Sequence, residues 1–381
     1  MGTGQPTGGR QATGGASTGV AETGGNTTSG GASAGAAATG GRTTSGGGAN
    51  GGRSATGGSA AGGATPGGTS AAGGATPGGT SAAGGAAPGG TSAAGGAAPG
   101  GASAAGGAVS STGCGKTTHP ATATGLTISV SGSNRTYNLR IPDNYDANHA
   151  YRLIVAFHWL NGTANDVTNG NNWATGKPYY GLWDLAGGST IFVAPQGIGN
   201  GWSNGSGSDI TFTKALITQL ESQLCIDTSR IFAEGFSMGG SMSYAVACAM
   251  SDIVRGVAVH SGGPMSGCDK TNRKPIPYFM THGTKDGTCT YPTYGVPQLQ
   301  DYASMDKCTN PNPSLAAASF ATALGTPTDT SGKNPVCTDF TGCLTADPVR
   351  SCIFVGDHTP SPGGTSTSWV PGETWKFFTQ F

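Results

Sequence analysis

Arg230-Ile231-Phe232-Ala233-Glu234-Gly235-Phe236-Ser237-Met238-Gly239-Gly240 carries a β-prone apolar run into a glycine turn, and residues 241–250 leave that turn with a helical, small-residue pattern. A serine on a sharp strand-to-helix turn has a strained backbone and crowded neighbours. Glycine two residues before it and two after leaves room for its Oγ to stand exposed at the sheet edge. Ser237 is therefore read as a nucleophile. The five-residue pattern alone discriminates little, because Gly-x-Ser-x-Gly recurs at Ser17, Ser33 and Ser203. Only at Ser237 does a strand pattern precede it and a helix pattern follow.

Working outward from that turn, strand-like and helical runs alternate. Residues 126–130 and 136–141 alternate apolar and polar side chains, as half-exposed antiparallel strands do. Leu153-Ile154-Val155-Ala156-Phe157 is continuously apolar, which suits a central strand buried on both faces. Residues 190–195, 254–260, 276–281 and 352–356 read as further strands. Phe212, Leu216, Leu220 and Leu224 fall four apart, the stripe of a helix over 209–224. Shorter helices are expected at 181–186 and 296–308, and an amphipathic one closes the chain at 369–381. The polar, proline-bearing stretch 326–350 is expected to be an irregular insertion. This order predicts an α/β fold, a mainly parallel doubly wound sheet with helices on both faces.

A serine hydroxyl needs a base to take its proton and a third group to orient that base. In such a sheet the carboxyl ends of the strands share one edge, so residues just after successive strands converge there. Ser237, Asp286 and His358 each follow an expected strand, in the order Ser, Asp, His expected of the α/β-hydrolase fold. His260 also ends a strand, but it lies only one strand after the serine. Asp357 adjoins His358, yet adjacent residues rarely aim their side chains at each other. The oxyanion of an acyl-transfer intermediate needs preorganised N–H donors. One is expected from the backbone of Met238, the other from Trp159 or Leu160 in the turn after the strand at 153–157. Trp159 and Trp202 are the candidate substrate contacts. Trp202 either stacks on an aromatic acyl group or covers the sheet edge. This chemistry requires no metal and no organic cofactor.

The chain has 381 residues, 71 of them glycine, with 19 basic and 19 acidic side chains, so it carries no net charge to attract nucleic acid or an anionic membrane. No run of 18 apolar residues exists, hence no membrane span is expected. Residues 1–112 hold no Phe, Trp, Tyr, Leu or Ile and contain eleven-residue repeats beginning at Gly62 and Gly73, with close variants at Gly84 and Gly95. Without these large apolar side chains to bury, they are expected to form a disordered linker with a reach on the order of 55 to 65 Å. Residues 113–381 are then the catalytic domain. All nine cysteines lie there, from Cys114 to Cys352, a density that suits disulfides and export; the odd number leaves at least one thiol unpaired within the chain. Met1-Gly2-Thr3-Gly4-Gln5 has neither the basic start nor the apolar run of a secretory signal. Export therefore implies a natural N-terminus further upstream.

Several stretches together resemble the secreted feruloyl esterases of carbohydrate esterase family 1, within the polyhydroxybutyrate-depolymerase-like esterases. They are Phe157-His158-Trp159-Leu160-Asn161-Gly162, Tyr179-Tyr180-Gly181-Leu182, Ile191-Phe192-Val193-Ala194-Pro195-Gln196-Gly197, Leu224-Cys225-Ile226-Asp227, the Ser237 turn, and Gly356-Asp357-His358-Thr359-Pro360. The resemblance covers nearly all of residues 113–381. It implies Ser237, Asp286 and His358 as a triad, Cys114, Cys225, Cys248 and Cys268 as disulfide partners in unspecified pairs, and feruloylated xylan or pectin of the plant cell wall as substrate. Cys289, Cys337, Cys343 and the insertion at 326–350 depart from the pattern. Acetyl xylan esterase and polyhydroxybutyrate depolymerase share the same machinery and differ in the acyl pocket. A wall-binding protein that has lost catalysis is the non-enzymatic alternative, against which the intact Ser, Asp and His set argues.

Overall fold

The computed structural model describes residues 109–174 and 176–381. Residues 1–108 of the expected linker, with the repeats, Ser17 and Ser33, lie outside these residues. Strands β1 (Ala123–Val130) and β2 (Ser133–Arg140) form the antiparallel hairpin that their period-two pattern expects. β3 (Tyr151–Phe157) is buried at every position. Its alternate residues serve different cores, with Leu153, Val155 and Phe157 on one face of the sheet and Ile154 and Ala156 on the other. Helices α1 (Ala164–Asn169) and α2 (Leu182–Ala186) follow, then β4 (Thr190–Pro195).

α3 (Ser208–Gln223) buries Phe212, Leu216 and Leu220 of the expected stripe. β5 (Ile226–Phe236) starts at 226 rather than 230, and α4 (Met238–Ala249) leaves the Ser237 turn. β6 (Gly256–His260), β7 (Tyr278–Gly283), α5 (Val296–Met305), α6 (Ala317–Ala323), β8 (Val336–Asp339), β9 (Val349–Phe354) and α7 (Val370–Phe378) complete the order. None of these helices is long and apolar enough to cross a membrane.

The nine strands form one sheet in the order β1-β2-β4-β3-β5-β6-β7-β9-β8. From β4 to β9 the neighbours are parallel; the hairpin at one edge and β8 at the other are antiparallel. Side chains of α3, α4 and α5 fill one core, and those of α1, α2 and α7 fill the other. The chain leaves β3 for β4 on one side and returns to β5 on the other. The loops after β3 and β5 therefore diverge, which opens a crevice at the carboxyl edge of the sheet.

The insertion at 326–350 is not wholly irregular. It contributes β8, where Cys337 pairs with Cys352 across the antiparallel ladder and forms a disulfide with it. The other bridges are Cys114–Cys225, Cys248–Cys268 and Cys308–Cys343, and Cys289 is the free thiol. Residues just before 113 also pack on the domain: Ser110 bridges Asp227, and Ser111 Oγ donates to the Leu224 carbonyl at 2.6 Å.

Candidate active site

Ser237 adopts φ 57° and ψ −119°, a region that L-residues rarely occupy and that persists only where the surroundings impose it. The imposing contacts are backbone ones. A Cβ on Gly235 would overlap the carbonyl of Gly239, and one on Gly239 would overlap the Phe157 carbonyl oxygen and lie 2.7 Å from that of His158. These glycines let α4 start against the end of β3. The Ser237 N–H donates to the His260 carbonyl at 2.9 Å, tying the turn to β6.

Asp286 and His358 come together from the loops after β7 and β9. His358 Nδ1 lies 2.7 Å from Asp286 Oδ2. Asp286 Oδ1 accepts the N–H groups of Thr288 at 2.9 Å and Cys289 at 2.6 Å. Burial raises the energy of the Asp286 carboxylate, but the hydrogen bonds from His358 and Cys289 outweigh it and hold its pKa below the ordinary value. An ionised Asp286 can only accept, so Nδ1 of His358 carries a proton, and in the neutral imidazole that leaves the lone pair on Nε2. The imidazole packs on Phe236, ring centroids 4.6 Å apart, which sets it against the residue preceding Ser237. Asp357 takes the role of a brace: its Oδ1 accepts the backbone N–H of His358 at 2.7 Å and of Gly287 at 3.0 Å, joining the two loops. His260 is fully buried, its pKa pushed down to about 3 by burial, with Nδ1 2.9 Å from Thr281 Oγ1.

The turn after β3 is built around His158. The Gly197 N–H donates to its Nε2 at 3.0 Å, so Nδ1 carries the proton and donates to the Trp159 carbonyl at 2.7 Å. Burial pushes the His158 pKa down to about 4, which keeps the ring neutral in this arrangement. Among the described residues, the N–H groups of Met238, Trp159 and Leu160 have no acceptor. Leu160, 54% exposed, lies with Met238 over Gly201, where a Cβ would meet Leu160 Cδ1 at 3.2 Å and Met238 Sδ at 3.3 Å.

Both tryptophans differ from the expected substrate contacts. Trp202 is 0% exposed, packs on Phe157 and His158, and donates its indole N–H to the His158 carbonyl at 2.7 Å. It offers no face to a ligand and covers the sheet edge from inside. The Trp159 ring is also buried, against Gly162 and Tyr180. Its backbone N–H remains available.

A family profile described as Phospholipase/Carboxylesterase matches residues 204–294. A protein named probable feruloyl esterase C from Aspergillus clavatus is 42% identical over 268 residues, covering 70% of this chain and 90% of the relative. Feruloyl esterase C of Emericella nidulans is 40% identical over 269 residues, covering 71% and 91%. This chain belongs to the feruloyl esterase family. Feruloyl esterases are carboxylic ester hydrolases, and the α/β-hydrolase fold described above is the scaffold of this one.

Other polar groups of this esterase were not singled out by sequence. Glu234, on β5, is wholly buried with both carboxylate oxygens unpartnered among the described residues, and burial raises its pKa well above the ordinary value. Its Oε2 lies 3.9 Å from Nε2 of His260. Gln196 links the loop after β4 to α1, its Oε1 accepting the Ala164 N–H at 2.8 Å. Trp173 stands 47% exposed beside Phe236, ring centroids 5.8 Å apart. No local pattern marks it, since its partner lies 63 positions away on β5.

Proposed function

We propose that this chain is an extracellular serine esterase that releases ferulate and related hydroxycinnamates from plant cell-wall polysaccharide, feruloylated xylan or pectin. The observation that carries the reading is the 2.7 Å Asp286–His358 hydrogen bond, made beside the left-handed Ser237 turn in a chain of the feruloyl esterase family. His358 Nε2 takes the Ser237 Oγ proton as Oγ attacks the ester carbonyl. The tetrahedral oxyanion is held by the N–H of Met238 and that of Trp159 or Leu160, each such donor contributing about 3 to 4 kcal/mol to the transition state. His358 then returns the proton to the leaving alkoxide. Water, deprotonated by the same imidazole, releases the acid from Ser237. Four disulfides support an oxidising, extracellular setting.

The acyl assignment is tested by assaying the chain side by side on methyl ferulate, acetylated xylan and polyhydroxybutyrate. Methyl ferulate is expected to be cleaved with the highest kcat/KM; preference for the acetyl substrate would overturn the acyl assignment. Labelling by a serine-directed fluorophosphonate separates all the enzymatic readings from a non-catalytic wall-binding one, for which no labelling is expected.

A further inference from the structure

The acid–base role of His358, on which this step rests, constrains where the two halves of the ester lie. The proton taken from Ser237 must be delivered to the leaving oxygen, so the alcohol half sits on the His358 side and the acyl half extends away from it. On that side the loop carrying His358 continues into Thr359 and Ser361, which line a cleft of about 380 Å³ with Asn172, Trp173, Gly364 and Thr365. The lining is hydroxyl and carboxamide groups around one indole, with no charged side chain.

Trp173 is the only aromatic residue among the exposed large apolar side chains of the described residues. Its ring is anchored as well as exposed: it backs onto Phe236, which in turn backs onto the His358 imidazole. An indole face bordered by hydroxyl and amide groups suits a ligand with a weakly apolar C–H face and hydroxyls at its rim. The absence of charge in the lining favours a neutral sugar over a uronate.

We propose that Trp173 is the specificity-determining platform for the alcohol half of the substrate, on which the neutral sugar ring bearing the ester stacks. The test compares kcat/KM for a feruloylated arabino-oligosaccharide with that for methyl ferulate, in the parent chain and in Trp173→Leu and Trp173→Phe. Leucine keeps an apolar cover over Phe236 without the π face; phenylalanine restores an aromatic one. The ratio of the two kcat/KM values is expected to fall about tenfold in Trp173→Leu, through KM of the sugar ester, and to recover in part in Trp173→Phe. A ratio within twofold of the parent in Trp173→Leu would overturn the proposal. So would a rise in the ratio, which would mean that the indole serves the acyl half. A parent chain that cleaves neither ester would instead bring down the esterase reading beneath it.

Discussion

Asp286 is tied down from every side, by His358 and by two backbone N–H groups, and those bonds decide which nitrogen of His358 carries a proton. Asp286→Asn keeps the shape but supplies an NH2 where an acceptor is needed, favouring the wrong tautomer. Activity on methyl ferulate is expected to fall about 1,000- to 10,000-fold in kcat with KM changed only a few-fold; a loss below tenfold would contradict the role. Asp306 makes a different prediction. Burial first, and then the charge of Asp347, push its carboxyl from 3.8 up to about 8, and neither oxygen has a partner among the described residues. Below pH 3.8 both folded and unfolded chains hold the proton. As pH rises from there towards 8, only the unfolded chain gives it up, so the folded state is progressively disfavoured. Urea unfolding should therefore show stability lost between pH 5 and pH 8, and Asp306→Asn should reduce that loss; an equal loss in both proteins would contradict it. The meeting of Asp286 and His358 was legible because strand ends converge whatever their sequence distance. Trp202 was not: a tryptophan in a glycine-rich loop reads the same whether its indole N–H meets solvent or the His158 carbonyl.

At the scale of elements, the joint between β5 and α4 is set by backbone contact with β3. Gly239→Ala places a methyl group into the carbonyls of Phe157 and His158, which cannot rotate away. It is expected to cost about 1 to 3 kcal/mol of stability and to remove most activity, because α4, the Met238 N–H and the Ser237 turn move together. A variant with parental melting temperature and activity would contradict this account of the glycines. The same contacts explain why β3 and the Ser237 turn could be read: a run apolar on both faces, and glycines placed between a strand pattern and a helix pattern, are each dictated by close packing. β8 gave no such signal. It is four residues long, lies on the sheet edge in a polar stretch, and is held by the Cys337–Cys352 bridge, not by an apolar alternation. α1 is only six residues long, and its start rests on the Thr163–Asp166 capping box, not on an apolar stripe.

Over the whole molecule, the nine cysteines resolve into four bridges and one thiol. Cys289 is buried, and burial together with the Asp286 charge pushes its thiol up to about 12. A thiol reagent at pH 8 should therefore find no reactive cysteine in the native chain and one after denaturation without reductant; three or more would mean a missing bridge. The switch between β4 and β5 about β3, and the carboxyl ends of β5, β7 and β9, gather Ser237, Asp286 and His358 along one sheet edge from positions 121 residues apart. Ester cleavage by this chain depends on Ser237. The decisive measurement is methyl ferulate hydrolysis by the parent chain and by Ser237→Ala, prepared alike and matched for folding by circular dichroism. A fall in kcat of about 10,000-fold or more is predicted. Retention of more than a tenth of the parental rate would contradict the mechanism.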